Sequence, residues 1–431
     1  MVIFLAKKVY QQNWFRLDNA GKIYPAIMSS KHSAVFRVSI TLTEKIDPKI
    51  LQKALDNTII RCPLFNTRLK RGMFWYFLEK NKYYPKVEPD VKNPCSPILP
   101  RRNKGFLIKI RYYENRIALE LFHALSDGSG ALVFLKTLTA RYLELKKGIH
   151  IPPGQGILDL NEEPKNEELE DSFAKYARLK KGSRKESKSY HIKGTKEKPG
   201  KLNIITGLID ASVVLKKAKE YNVSLTEFLA SNYILALFDL QESENNLRKY
   251  PVKVSIPINL RSVYPSTTLR NFAHYINPGI LPGYGEYSLD ETISLVHHFL
   301  RYRLNEKFIN AQICANVNDE NNPVLKAAPL FLKNFVMGIV YKFVGESRFA
   351  ATLSNLGNQS LPSEMSAFVK RMDFFLGPSR ANYSNCGAIG YNNTLVLNFS
   401  RNIKETYAEQ AFFTRLVKLG IPVKIESNNH D

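Results

Sequence analysis

Apolar residues along the chain follow two spacings, and the places where one gives way to the other outline the fold. In residues 106–125, "FLIKIRYYENRIALELFHAL", two runs rich in apolar and β-favouring residues flank the polar pair Glu114-Asn115, which predicts a hairpin. The second run, residues 117–122, is apolar at nearly every position and predicts a buried strand. It stops abruptly in His123, followed by Asp127 and Gly128. Leu132, Leu135, Leu138 and Tyr142 then recur at helical spacing, and the helix closes on two lysines and Gly148.

The same reading extends to both sides. "DPKILQKALDNTIIRCPLF" opens on Asp47-Pro48, a helix start with proline in the first turn, and carries Leu51, Ala54, Leu55, Thr58 and Ile59 on one face before Pro63 ends it. "FNTRLKRGMFWYFLEK" predicts two strands about a turn at Arg71-Gly72, and residues 90–100 predict a loop. Residues 152–201 are polar, with repeated Gly and Pro, and predict a linker holding one short helix near 167–181. Beyond 202 come two helices broken near Asn222, the second opened by a Ser224–Glu227 capping box. A strand then finishes at Asn259, Leu260 and Arg261. "SLDETISLVHHFLRYRLNEKFINAQ" predicts one long helix. "FAATLSNLG", "RMDFFLGPS" and "NTLVLNFSR" predict strands or strand ends, and "YAEQAFFTRLVKLG" a last helix. The class is α/β, with residues 1–160 and 202–431 as two halves and 161–201 as a charged linker between them.

Composition narrows the functional classes. A chain of 431 residues, 44% hydrophobic, exceeds one ordinary core and predicts two domains or one large pseudo-symmetric body. The longest apolar region, "APLFLKNFVMGIVYKFVG", is interrupted by Lys333 and Lys342, which predicts a core or interface helix and no transmembrane segment. The opening "MVIFLAKK" is too short for a signal peptide, and its lysines follow the apolar stretch. Cys62, Cys95, Cys314 and Cys386 lack metal-ligand spacing and predict buried reduced thiols in a cytoplasmic protein. Abundant Lys, Asn, Ile and Tyr suit a bacterial genome of low GC content. The net charge of +23 attracts polyanions, whether nucleic acid, acidic lipid, phosphorylated co-substrates or acidic proteins. No nucleic-acid-binding signature accompanies it, and much of the charge lies in residues 165–201, where solvation alone accounts for it as well.

Candidate chemistry centres on His123. A strand ending in histidine presents an imidazole at a sheet edge, and Gly128 permits a tight turn into the next helix. The neutral ring can take a proton near neutral pH, against a simple reading as a hydrogen-bonded residue at a strand end. Ser126 and Ser129 lack the Gly-x-Ser-x-Gly setting of a nucleophile and suit turn and capping roles. His297 and His298 lie on a charged amphipathic helix and read as a solvated face, not a metal site.

Taken in order, "LQKALDNTIIRCPLFNTRL", "FHALSDGSG", "VSLTEFLASNYILAL", "SIPINLRS" with "LRNFAHYI", and "ATLSNLG" resemble the chloramphenicol acetyltransferase-like superfamily. That superfamily includes condensation domains of peptide synthetases and bacterial alcohol acetyltransferases, and the likeness spans about residues 40 to 400. The resemblance implies two pseudo-related halves with mixed sheets and a channel between them. It implies His123 as general base of an O-acyltransferase moving an acyl group, acetyl among the candidates, from acyl-CoA to a small-molecule alcohol. No cofactor is held; acyl-CoA is a co-substrate. It assigns Asp127 to a structural ion pair with Arg261, not to a triad with His123. Ser354 or Asn355 is the candidate donor to the oxyanion, against a plain strand-end turn. Two positions depart from the pattern: Phe122 stands where many condensation domains have a first histidine, and Arg270 where a glycine is usual. Two alternatives stay open: an acidic acyl carrier protein as donor, and a non-catalytic protein binding a polyanion or membrane through its basic face.

Overall fold

In the computed structural model, residues 13–29, 32–99, 103–177, 186–244, 249–321, 323–341 and 345–429 are described. The run at 117–122 is the middle strand, Arg116–Phe122, of a five-stranded sheet. Its order is Val369–Phe375, Val35–Leu42, Arg116–Phe122, Ile108–Tyr113, Val87–Pro89. A strand covered on both faces needs apolar residues at successive positions, and Ile117 to Phe122 are all buried. The helices Pro48–Arg61 and Gly128–Lys147 pack on each other and on this sheet. Asp47 caps the first through the amides of Lys49 and Ile50, and Gly148 ends the second in the left-handed conformation, φ 67°.

The second half is built on an eight-stranded sheet in the order Ala273–Ile276, Val252–Asn259, Ala351–Gln359, Ser384–Tyr391, Thr394–Arg401, Asn203–Asp210, Lys424–Ser427, with Gly279–Ile280 also paired to Val252–Asn259. Ala351–Gln359 runs parallel to both its neighbours, so the sheet is mixed. Asn392 and Asn393, both at positive φ, make the two-residue turn that joins Ser384–Tyr391 to Thr394–Arg401. The helix Leu225–Ser243, opened by the Ser224–Glu227 box, covers one face of this sheet. A small third sheet, Trp14–Arg16, Tyr76–Lys80 and Thr67–Arg71, flanks the first half.

The division of the chain is not a division of the cores. Val369–Phe375, from the second half of the sequence, leaves its own sheet and pairs antiparallel with Val35–Leu42 of the first. Met372, Phe374 and Phe375 therefore belong to the first half's core. The residues of 161–201 that are described are also bound in place. Arg61 grips Glu168 with two bonds of 2.6 and 2.7 Å, and Asn310 Nδ2 donates to the Tyr176 carbonyl at 2.6 Å. Phe173 and Tyr176 form a separate apolar cluster with Leu260, Tyr264 and Phe272. The basic run is thus no free tether where it is described.

Three local expectations change. The helix expected near 167–181 is two short ones, Asn166–Leu169 and Ser172–Tyr176, and its end falls outside the described residues. The expected long helix is two, Leu289–Arg303 and Glu306–Asn321. Asn305 explains the break, since its side-chain oxygen accepts from the Phe308 amide at 2.9 Å and starts a new helix. The apolar run at 328–345, expected as a core or interface helix, contains the helix Leu330–Val340, and its place outside the cores narrows that choice: Phe331, Phe335 and Ile339 face outward.

Gly387 marks how closely the halves meet. A Cβ there would lie 2.3 Å from the Phe374 carbonyl oxygen on the crossing strand, a backbone atom that cannot swing away. Gly387→Ala should therefore destabilise the fold by about 1–3 kcal/mol. Calorimetry should show a lowered Tm; an unchanged Tm would mean the seam has room to spare.

Candidate active site

The strand Arg116–Phe122 delivers His123 to the seam, and hydrogen bonds from both flanks hold it there. Its amide donates to the Ala34 carbonyl at 2.8 Å. Ala34 itself sits at φ 49°, an uncommon conformation for alanine, in the bend that leads into Val35–Leu42. The imidazole stacks on the Tyr24 ring at 4.6 Å and meets the Phe36 ring edge at 5.0 Å.

The hydrogen bonds fix the tautomer. Asn271 Nδ2 donates to the His123 carbonyl at 3.0 Å and to Asp18 Oδ2 at 3.1 Å. Its Oδ1 is therefore an acceptor, and it lies 2.9 Å from His123 Nδ1. Nδ1 carries the proton, which leaves Nε2 with a free lone pair. Burial in the aromatic surroundings holds the imidazole below its ordinary pKa of 6.5, opposed by the Asp127 charge and the Asn271 bond. The ring is neutral at neutral pH.

Asp127 does not touch the imidazole. Its Oδ1 caps the helix Gly128–Lys147 through the Gly130 amide at 3.1 Å. Its Oδ2 accepts from Arg261 Nη1 and from the Phe272 amide, each at 2.8 Å. Arg261 also donates to the backbone, Thr268 O at 2.8 Å and Arg270 O at 2.6 Å, and to the Asn259 side-chain oxygen at 3.1 Å. The ion pair joins the two halves and fixes the loop that carries Asn271.

Gly128 opens the helix beneath Leu356 of the strand Ala351–Gln359, whose flexible tip lies 2.6 Å from where a Cβ would be. Gly130 is tighter, because a Cβ there would sit 2.2 Å from the Leu269 carbonyl oxygen. Ser126 donates to that same carbonyl at 2.5 Å, and Ser129 accepts from Asn259 at 3.2 Å, so both hydroxyls are structural. Asn355 is committed to a turn: it donates to Thr226 and accepts from the Gly357 amide. Ser354 makes no hydrogen bond through its side chain to the described residues. It pairs in register with Gly387, against which Phe374 packs, so it faces the same seam. His297 bonds Glu227 at 3.0 Å and plays no part here. All four cysteines are buried, and none is in a disulfide among the described residues.

No protein-family profile matches this sequence, and no curated protein matches it either. Solved structures do match in shape. Polyketide synthase associated protein 5 from Mycobacterium tuberculosis superposes with a TM-score of 0.57 at 15% identity, over 94% of this chain and 97% of that one. A trichothecene 15-O-acetyltransferase from Fusarium sporotrichioides gives 0.60 at 12% identity, over 94% of each chain. The starter condensation domain of rhizomide synthetase, in complex with C8-CoA, gives 0.60 at 12%, over 94% of each. The chain has the chloramphenicol acetyltransferase-like fold of the condensation domains.

On that fold, the sequence reading assigned His123, Asp127 and Arg261 but missed Asp18, Tyr24 and Asn271. Asn271 stood in the quoted "LRNFAHYI" without a role. The departure at Arg270 has a physical counterpart. Its side chain is buried, with Nε 3.6 Å from Asp18, and it also donates to the Arg16 carbonyl. Burial raises the Asp18 pKa to about 6, and the Arg270 charge restrains the rise.

Truncating the buried ion pair strands an arginine. Asp127→Ala should cost about 3–5 kcal/mol of folding stability. Denaturant unfolding measures this; a loss below about 1 kcal/mol would show that Asn259 and the backbone carbonyls suffice to hold Arg261.

Proposed function

We propose that this protein transfers an acyl group from acyl-CoA to an alcohol hydroxyl, with His123 as general base. The observation that carries the reading is the fixed tautomer: Asn271 occupies Nδ1 and leaves the basic Nε2 for chemistry. In this scheme Nε2 removes the hydroxyl proton as the oxygen attacks the thioester carbonyl. The C–O bond forms, and the tetrahedral intermediate carries a negative oxygen. The C–S bond then breaks, and the imidazolium returns the proton to the departing thiolate. The scheme needs no covalent enzyme intermediate and no bound cofactor. Ser354 is the side chain we assign to the oxyanion, because Asn355 is already engaged in its turn. Asp127, Gly128 and Arg261 support the site without touching substrate.

A cleft of about 510 Å³ supports a phosphorylated donor. Its lining includes His191, Lys193, Arg380 and Tyr383, and Lys196 lies over the Tyr383 ring at 5.5 Å. Tyr341 and Glu346, also in that lining, contact His32, two residues before the Ala34 that binds the His123 amide. The net charge of +23 suits an acidic carrier protein as donor as well. Offering the same acyl group on free CoA and on carrier proteins, across alcohol and amine acceptors with mass-spectrometric readout, separates the two donors.

Two outcomes are expected. His123→Ala should keep the Tm and lower transfer by about two to four orders of magnitude, the usual worth of a positioned base. Unchanged turnover would defeat the mechanism. In the pH profile of kcat/KM, activity should persist to below pH 6.5, because a depressed imidazole pKa keeps the base neutral in mild acid. A second ionisation near pH 6, from Asp18, should disappear in Asp18→Asn. An acid limb centred above pH 7 would contradict this assignment.

A further inference from the structure

The helix Leu330–Val340 is turned inside out. In a helix of a water-soluble surface, the apolar stripe faces the core and the charged residues face solvent. Here Lys333 is buried, 4% exposed, as is Leu330 at the helix start, while Phe331 and Phe335 are 66% and 67% exposed. Ile339 extends the same stripe one turn further, with Leu332 and Val336 beside it. Lys333 Nζ donates to the Phe74 and Lys326 carbonyls at 3.0 and 3.2 Å and lies 3.7 Å from the Trp75 ring centre. Asn334 donates to the Tyr76 hydroxyl at 3.0 Å. Polar side chains pin the helix to the protein and leave its apolar face outward.

That face is continuous with a second apolar element. The Leu330 amide donates to the Met73 carbonyl at 2.9 Å, which joins the helix to the tip of the hairpin Thr67–Lys80. Met73 and Phe74 at this tip are exposed, as is Trp14 across a cleft of about 730 Å³. The charge around the patch is mostly positive, although Glu79 on the same hairpin pairs with Arg68 and Lys70. Residues 323–345 contain three lysines and no acid, and residues 67–77 contain Arg68, Lys70 and Arg71 and no acid. Lys22 and Lys326 line the cleft.

We propose that this face docks on the surface of an anionic phospholipid bilayer. The exposed rings enter the boundary between headgroups and acyl chains, and the basic rim meets the lipid phosphates. The helix is only about 16 Å long, so it lies in the interface and does not span. Among the described residues no single helix is long and apolar enough to cross a membrane. The proposal rests on no assignment of activity.

The sequence supplies its own reporters, because its only two tryptophans, Trp14 and Trp75, both line the cleft beside this face. Full-length protein is mixed with vesicles of phosphatidylcholine alone or with phosphatidylglycerol, and binding is read by flotation and tryptophan fluorescence. Binding to anionic vesicles is expected, with a blue shift, quenching by brominated acyl chains, and weakening in high salt. Phe331→Ser with Phe335→Ser should reduce partitioning at least about tenfold without lowering the Tm. Four results would overturn the proposal: no partitioning by the wild type, equal partitioning by the double variant, partitioning lost on deleting residues 1–12 but kept in the double variant, or a solution dimer that the double variant abolishes.

Discussion

The site depends on one buried carboxylate. Asp127 accepts from a helix amide, from the Arg261 guanidinium of the other half, and from the Phe272 amide, and these three bonds define where the two halves meet. Removing water from a carboxylate is costly unless each lone pair is met, and here the partners come from three separate segments. The loop 268–272 cannot move without breaking one of them. Because Asn271 lies in that loop, the orientation of the imidazole follows from a charge that never touches it. A His–Asp spacing of four residues suggests a catalytic pair, but the fold uses the aspartate as a brace.

What the sequence disclosed, and what it withheld, follows from the range of the interactions. Helix starts at Asp47-Pro48 and Ser224, the turn at Glu114-Asn115 and the buried strand before His123 are local, written in residues a few positions apart. The Asp127–Arg261 pair was legible only through a resemblance, since 134 positions separate its partners. Asp18 was not legible, and Asn271 stood in the quoted "LRNFAHYI" without a role, because the two partners are 253 positions apart. The helix Leu330–Val340 misled for another reason. Its composition says that an apolar face must be covered, but composition does not say by what, and Lys333 reads as an interruption until its partners on the hairpin are seen.

The crossing strand ties the two halves together. Val369–Phe375 pairs with the first sheet while lying against Ser384–Tyr391 and Thr394–Arg401 of the second. Phe374 packs on Phe36, which in turn meets the His123 ring edge. The apolar wall of the site is thus drawn from both halves, and its dryness is what lowers the imidazole pKa.

Arg270 shows how a departure from a family pattern can be absorbed by the site. Burial pushes the Asp18 carboxyl up, and the Arg270 charge opposes that rise. A protonated Asp18 is a weaker acceptor for Asn271 Nδ2, which keeps the His123 carbonyl as its other partner. With Arg270 beside it, Asp18 remains a carboxylate above about pH 6. The amide nitrogen then points to Asp18 and the amide oxygen to His123 Nδ1, which keeps the proton on the nitrogen that does no chemistry. A charge buried where the pattern has glycine therefore acts, through a carboxylate, on one of the two bonds that orient the Asn271 amide.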